Sequence, residues 1–455
     1  MSEQAGQKQE ICFHILATLS AKQRASLLER TESSLDKYVE GVAPIVQAVR
    51  EDGDAAVVHF ARTFDNAEIG TDAIAATDAD FEEAFRLLDA SLIATLEYAA
   101  ENIRSFHEAQ LPQGMWLKEI RPGVIVGERY TPVDSAALYA PRGKGSFPSM
   151  TLMTAIPAVV AGVPAPILLT PPGPDGKVDA ATLVAAKVAG VTKVYKAGGA
   201  VAVAAAAYGT ETIPQCHKFE GPGSPWVAAA KRLLQGQISS SLPAGPSESI
   251  VLVDETADPR LAALDLLIES EHGPDSSAFL VTWSREAALA AQRAIPGLWQ
   301  QMGRTRVEFS KAVLGGGHGG IVLARSPQEA YDFINDYAPE HLQIHSQKPF
   351  EHLSYIRNAS EILLGEYAVG SIANYVLGPN AVLPTAGAAR FCSPLGVHSF
   401  LKSSSIGHVT ASGYQEMAPH THRFALYEGF DAHANAVSDL RHASNALARQ
   451  GEESV

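Results

Sequence analysis

Glu269 and His272 are the first side chains of this chain whose types and spacing could do chemistry together. Asp258-Pro259 supplies an N-cap and a first-turn proline, apolar residues recur at helical spacing from Leu261 to Ile268, and Gly273-Pro274 ends the pattern. The spacing predicts that the carboxylate and the imidazole share one face of the last helical turn. Such a pair can hold two corners of a metal site, although the same spacing also occurs on solvated helix ends.

A second candidate pair, Glu340 and His341, stands directly after a predicted helix. Adjacent carboxyl and imidazole groups can divide general acid and base duties, and the plainer alternative is a surface loop. Asn374 lies in a segment rich in Gly, Ala and Pro, residues 370–384, that the composition predicts to be a loop in which Asn is usually a turn residue. His433 stands alone near a predicted helix start, where a histidine is more often structural than a ligand.

Two glycine-rich turns could approach a nucleotide. No Gly-x-Gly-x-x-Gly stands between a predicted strand and a predicted helix. Gly198-Gly199-Ala200 has the strand–turn–helix setting with only two glycines, and Gly221-Pro222-Gly223-Ser224 is a second approximation. Either could bring backbone N–H groups to a pyrophosphate, and either could be a plain tight turn. The glycines of Gly315–Gly320 precede a predicted strand, which favours a flexible loop.

The elements that must position these residues alternate from about residue 131 onward. The pattern predicts mostly helix over residues 15–130, and a helical tail from about residue 399. Between them, predicted strands at 133–139, 167–170, 192–195, 249–253, 278–282 and 321–324 alternate with predicted helices. This alternation is typical of parallel sheets. We therefore predict an α/β fold with two Rossmann-like parallel-sheet domains, one inserted in the other, and helical N-terminal and C-terminal extensions. The predicted domains are 1–130 with 246–395, the inserted 131–245, and the tail 396–455.

Composition narrows the functional classes. At 455 residues the chain is too long for one core, and 46% hydrophobic with 19% charged residues describes an ordinary globular protein. A net charge of −15 argues against a nucleic-acid binder. Cys12, Cys216 and Cys392 are isolated, which fits a reducing compartment. The N-terminus has no secretory pattern, and the longest apolar stretch, 155–169, is broken by prolines. We expect a cytoplasmic protein that binds neither membranes nor nucleic acids.

Taken in order, eight segments resemble the histidinol dehydrogenase family over nearly the whole chain. They are Tyr139 with the loop Pro141–Ser146, Gly198-Gly199-Ala200, Gly221-Pro222-Gly223, Pro243-Ala244-Gly245-Pro246-Ser247-Glu248, Glu271-His272-Gly273-Pro274-Asp275-Ser276, Ala338-Pro339-Glu340-His341-Leu342, Val382-Leu383-Pro384-Thr385, and Glu428-Gly429 with Ala432-His433. Eight motifs in one order are far more specific than any one of them.

The resemblance implies a homodimer, with site residues shared across the interface, that uses Zn²⁺ and NAD to oxidise an alcohol through an aldehyde to a carboxylic acid. L-Histidinol, oxidised to L-histidine, is the most economical substrate. By the same resemblance, 131–245 binds the cofactor and 396–455 serves dimerisation. The implied general base is His341, and Glu340 activates water for the aldehyde stage. Tyr139, Val201 and Ser224 correspond to cofactor positions. The substrate positions are Ser247, Glu269, His272, His341, Asn374, Glu428 and His433.

The implied zinc ligands are Glu269, His272, Asn374 and His433, and two of them depart from the family pattern. The family has Gln where Glu269 stands and Asp where Asn374 stands. Together the changes exchange a carboxylate and an amide between two positions. The set remains two imidazoles, one carboxylate and one amide oxygen, and zinc accepts either oxygen donor. The sequence therefore predicts a preserved metal site with its negative charge relocated.

Three further departures concern the ligands. Val201 stands where the family has Gln, Ser224 where it has Asn, and Ala381 where it has His. These changes favour a paralogue that oxidises a different small polar alcohol. Two other classes stay open: a zinc hydrolase that uses the metal and Glu340 without a nucleotide, and a metal-binding protein without turnover. The presence of both Glu340 and His341 speaks against the second.

Overall fold

The computed structural model describes residues 11–30, 35–142 and 145–441. The first ten residues, and Gly143 and Lys144 of the predicted glycine-rich loop, lie outside this part. The strands are β1 (Phe13–Ile15), β2 (Met115–Arg121), β3 (Val124–Pro132), β4 (Ser135–Tyr139), β5 (Ala165–Thr170), β6 (Val194–Lys196), β7 (Lys218–Glu220), β8 (Glu248–Val253), β9 (Ser277–Thr282), β10 (Gly319–Leu323), β11 (His341–His345), β12 (Glu361–Leu364) and β13 (Leu401–Val409).

The α-helices cover most of the remaining described chain. They are α1 (Ala21–Leu28), α2 (Asp36–Asp65), α3 (Asp78–Leu87), α4 (Ala90–Ala109), α5 (Pro148–Val160), α6 (Ala180–Ala189), α7 (Gly199–Tyr208), α8 (Pro225–Leu233), α9 (Pro259–Ser270), α10 (Arg285–Trp299), α11 (Arg304–Leu314), α12 (Pro327–Tyr337), α13 (Gly370–Tyr375), α14 (Ala411–Tyr427) and α15 (Asp431–Asn435). No described helix is long and apolar enough to cross a bilayer.

The chain divides into two compact units. The first comprises Met1–Leu111 with Pro132–Phe400, and the second comprises Pro112–Thr131 with Leu401–Val455. The first unit contains a six-stranded sheet in the order β1-β10-β9-β8-β11-β12 and a four-stranded sheet in the order β6-β5-β4-β7. Every strand pair in both sheets is parallel. The predicted α/β fold with two parallel sheets is thus confirmed.

The six-stranded sheet is buried on both faces, which explains its continuous apolar runs. Along β8, Val251 and Val253 pack into one core cluster with residues of α9 and α10, whereas Ile250 and Leu252 pack into another with residues of α12. Successive side chains of a strand point to opposite faces, so the two clusters are the two sides of one sheet. Helices therefore cover both faces of the sheet.

Helix α9 forms as the sequence predicts. The Asp258 side chain accepts a hydrogen bond from the Arg260 N–H at 2.8 Å, and Pro259 occupies the first turn. The helix ends at Ser270, so Glu269 lies in its last turn as predicted, whereas the predicted place of His272 in that turn is wrong, because His272 follows the C-cap Glu271.

Several local predictions are wrong. The predicted helical region 15–130 contains the antiparallel strands β2 and β3, and the predicted helical tail begins with the strand β13. No residue of β2 or β13 is buried, so neither strand has the buried apolar face that would mark it in the sequence. The predicted loop 370–384 begins with α13, which contains Asn374. The surface loop that was the alternative at Glu340 and His341 is not what forms, because His341 begins the fully buried strand β11.

The second unit contains a small sheet in which β2 and β3 pair antiparallel. Its sheet has the strand order β13-β3-β2, and α14 and α15 pack on each other. Large apolar side chains stay exposed on this unit, notably Trp116, Phe424, Tyr427 and Phe430. Exposed aromatic residues in such number are typical of a surface that another molecule covers.

Candidate active site

A cavity of about 450 Å³ in the first unit collects most of the side chains that the sequence singled out. It lies at the amino ends of β8 and β11, since His341 is the first residue of β11 and Ser247 directly precedes β8. The predicted site residues among its lining are Ser224, Ser247, Glu269, His272, Glu340, His341 and Asn374. Residues more than a hundred positions apart in sequence thus face one space.

Glu269 is the centre of a three-residue contact. Its Oε2 lies 3.0 Å from His272 Nδ1, and its Oε1 accepts a hydrogen bond from Asn374 Nδ2 at 3.1 Å. Burial by itself would raise the pKa of Glu269, but the His341 and His272 imidazoles and the two hydrogen bonds outweigh burial and lower the pKa to about 2. The carboxylate is therefore ionised at neutral pH, although Glu269 is only 4% exposed.

These three residues fit part of a zinc site. Within the described residues, no group of three or more His, Cys, Asp or Glu side chains could hold a metal ion. The third donor here is instead an amide, and imidazole, carboxylate and amide oxygen are all donors that zinc accepts. The ionised, buried Glu269 is stabilised by the nearby His272 imidazole. A bound cation could stabilise the same negative charge. The first unit therefore supplies three of the four predicted ligands.

His433 and Glu428, the remaining two residues predicted to hold the metal or the substrate, belong to the second unit. His433 lies in α15, where its ring is 5.2 Å from the Phe430 ring, and Glu428 is the C-cap of α14. Both are exposed on that unit.

Glu340 and His341 form the candidate acid–base pair. His341 Nε2 lies 3.8 Å from Glu340 Oε1, and Glu340 Oε2 accepts the Glu248 backbone N–H at 2.9 Å. Burial raises the pKa of Glu340 to about 8. Burial would lower the pKa of His341, but the carboxylates of Glu269, Glu340 and Glu361 outweigh it and raise the pKa to about 10. Two groups with pKa values so far from their ordinary ranges are typical of an active site.

Glu361 is a site residue that the sequence analysis missed. Its Oε2 lies 2.7 Å from His341 Nδ1, on the opposite side of the ring from Glu340. No motif marks Glu361. The available signal was a carboxylate at the start of the otherwise apolar strand segment Glu361–Leu364, where a buried charge requires a partner.

A second cavity of about 580 Å³ lies at the carboxyl end of the four-stranded sheet. Its lining includes the three predicted cofactor residues Tyr139, Val201 and Ser224. The Tyr139 hydroxyl accepts the Gly199 N–H at 3.0 Å, and burial raises the pKa of Tyr139 to about 12. The sequence analysis did not identify Asp65, which lines the same cavity from the end of α2.

Two turns near this cavity favour glycine for conformational reasons. Gly199, which lines the cavity, has φ +56°, and Gly221, in the turn after β7, has φ +144°, where an added Cβ would lie 2.3 Å from the Tyr139 carbonyl oxygen. Pro141, Arg142 and Ser224 line both cavities, so the two spaces adjoin.

Comparisons with known proteins agree with this arrangement. The family model described as histidinol dehydrogenase matches residues 28–441. A histidinol dehydrogenase homolog of Colwellia psychrerythraea is 60% identical over 432 residues, which is 95% of this chain and 97% of the relative. The histidinol dehydrogenase of Synechocystis sp. is 46% identical over 424 residues, 93% of this chain and 98% of the relative. The crystal structure of histidinol dehydrogenase from Elizabethkingia anophelis superposes with a TM-score of 0.90 at 30% identity, covering 96% of this chain and 99% of that one.

Proposed function

Because the chain belongs to the histidinol dehydrogenase family of NAD-dependent oxidoreductases, we propose that it oxidises a small polar alcohol through an aldehyde to a carboxylate, with zinc and NAD. One observation carries the proposal. The acid–base pair Glu340 and His341 faces the same cavity as the three candidate zinc ligands, and that cavity adjoins the candidate cofactor cavity. L-Histidinol is the first substrate to test. Ala381, which lines the cavity where the family has a histidine, supports another small alcohol as the second candidate.

Glu269, His272, Asn374 and His433 would hold the zinc ion in a homodimer that shares site residues across its interface. When bound, zinc supplies a Lewis acid that polarises the substrate hydroxyl, and NAD supplies the hydride acceptor. The exposed aromatic residues of the second unit support a dimer in which this unit is covered. Glu428 would hold the substrate.

His341 is the proposed general base for the alcohol stage. Its Nδ1 is occupied by Glu361, so the Nε2 atom is the one available for the proton of the reacting hydroxyl. In the absence of a cation the nearby carboxylates, Glu269 first among them, raise the pKa of this imidazole to about 10 and so keep it protonated at neutral pH. A cation held by Glu269 would offset one of those carboxylates and so favour the neutral, basic form.

Glu340 is the proposed base for the aldehyde stage. Its carboxyl is fixed by the Glu248 N–H and lies beside His341, in reach of the same cavity. Burial raises its pKa to about 8, so the group exchanges a proton near neutrality, as a residue that activates water must.

The inserted segment 131–245 is the proposed cofactor domain, since the four-stranded sheet and most residues of the second cavity fall within it. The remaining division, 1–130 with 246–395 for catalysis and 396–455 for dimerisation, is part of the same proposal. We also propose a cytoplasmic location, supported by the three cysteines, which are all free.

The decisive experiment is a screen of small alcohols, including L-histidinol, with NAD and NADP on protein of measured zinc content. Reduction of the nicotinamide, followed by its near-ultraviolet absorbance, is the expected result. A zinc hydrolase would give no such signal. His341→Asn should keep the zinc content and lower the oxidation rate by roughly 10²- to 10⁴-fold. Persistent oxidation in that variant would show that another residue is the base.

A further inference from the structure

Glu361 and His341 are paired directly across neighbouring strands. They are the first residues of β12 and β11, and the parallel register places one opposite the other. Both are buried, with 7% and 8% exposure. The 2.7 Å contact between Glu361 Oε2 and His341 Nδ1 is therefore set by the strand pairing, which holds it more firmly than a contact between two loops.

The Glu361 carboxylate serves His341 and no other side chain of the described residues. Its second oxygen, Oε1, is buried and has no hydrogen-bond partner there. Burying a carboxylate in this way costs free energy that the structure recovers only through the contact with the imidazole. Such an arrangement is more typical of a functional site than of a core.

Two acidic side chains, Glu361 and Glu340, flank the two nitrogens of the His341 ring and could accept the N–H of its neutral form. Glu361 lies 2.7 Å from Nδ1, within hydrogen-bond distance, whereas Glu340 Oε1 lies 3.8 Å from Nε2, beyond it. The proton is therefore held on Nδ1, and the lone pair is on Nε2. Without Glu361, the proton could move to Nε2 and turn toward Glu340, which would leave no lone pair facing the cavity.

From this geometry we propose that Glu361 is a positioning residue for His341: it fixes the ring and its tautomer so that Nε2 can accept the proton of the substrate hydroxyl. The inference rests on the proposed function of His341 as the base. It adds a residue that touches neither substrate nor cofactor and acts only through the imidazole.

The activity test compares Glu361→Gln and Glu361→Asp with a matched control. Asp265→Asn is the control, because Asp265 Oδ2 lies 2.9 Å from Nε2 of the buried His345 on the same strand, away from the cavity. The assay uses the zinc-loaded full-length protein with NAD and L-histidinol. We expect Glu361→Gln to lower kcat about 10²-fold or more with KM changed less than about threefold. Glu361→Asp should recover part of kcat, and the control should keep it.

Equal effects of Glu361→Gln and Asp265→Asn on kcat would overturn the proposal, because the loss would then be the general cost of breaking a buried imidazole–carboxylate pair. A loss confined to KM would overturn it as well. Thermal unfolding of all three variants shows whether a fall in kcat merely follows a loss of folded protein.

A second measurement does not depend on the substrate. Nuclear magnetic resonance of protein labelled with ¹⁵N-histidine, with His341→Asn to assign the signals, locates the ring proton. We expect a far-downfield Nδ1 proton that Glu361→Gln shifts and Asp265→Asn does not. A neutral His341 ring with its proton on Nε2 and none on Nδ1 in the wild-type protein would overturn the proposal. If the wild-type protein reduces no NAD with any alcohol, the proposed function fails, while this spectrum still decides the role of Glu361.

Discussion

Replacing Glu340 by Gln should stabilise the protein at alkaline pH while removing the proposed base of the aldehyde stage. Gln has nearly the same size, and its amide oxygen can still accept the Glu248 N–H that now bonds Glu340 Oε2 at 2.9 Å. The substitution therefore removes the ability to ionise with little change in packing. Any pH-dependent difference in stability between the two proteins reports on the buried charge.

The magnitude follows from the pKa of Glu340. Burial raises it from an ordinary 4.5 to about 8. Between these values the folded protein holds a proton that the unfolded chain has released, so the free energy of unfolding falls as pH rises, by about 1.4 kcal/mol per pH unit. The contribution of protonated Glu340 to the free energy of unfolding is complete below about pH 4.5 and is lost progressively toward pH 8, to a total of roughly 5 kcal/mol. The Glu340→Gln variant should not lose this stability as the pH rises.

The assay is urea unfolding of chelator-treated protein at about pH 5 and about pH 8.5, at one protein concentration, because the stability of the proposed dimer would depend on it. Glu101→Gln, which removes one exposed charge, is the control. We expect Glu340→Gln to be similar to wild type at the lower pH and more stable by several kcal/mol at the higher pH. A difference that does not change with pH, or one shared by the control, would refute the burial argument.

Three further predictions concern the two cavities. Glu269→Gln alone should weaken zinc binding at least tenfold, because the site loses its carboxylate, and adding Asn374→Asp should restore the affinity. Competition with a chelator measures the affinity, and purely additive losses in the double variant would contradict the proposed exchange. Tyr139→Phe leaves the Gly199 N–H without its acceptor at 3.0 Å and should cost about 1–2 kcal/mol in urea unfolding; unchanged stability would show that the hydroxyl is not needed. Burial raises the pKa of Asp65 from 3.8 to about 6, so wild-type stability should fall between those values by about 1 kcal/mol after allowance for solvent screening. Asp65→Asn should show a smaller fall in thermal unfolding temperature between about pH 4 and pH 7, and an identical pH profile would argue against this burial.

The order of the helices and strands was predictable where the local sequence pattern agrees with the tertiary packing. The buried strands β5, β8 and β9 are continuous apolar runs, and α9 begins at the capping pair Asp258-Pro259. The sequence of strand β11, His-Leu-Gln-Ile-His, does not mark a buried strand, because its polar side chains find partners only on other elements. Gln343 and His345 both bind Asp265 of α9. Their burial is a property of the packed sheet.

By itself the sequence determined the α/β class and the motifs, and with them the residue types available for acid–base chemistry and metal binding. Only the tertiary structure decided that Asn374 lies in a helix and contacts Glu269, 105 positions away, and that Glu361 stands behind His341. The reason is physical. Spacing along a chain fixes which side chains share a helix face, whereas the register between strands and the packing of helices on sheets fix which distant charges meet. The burial that raises the pKa of Glu340 arises only from that packing.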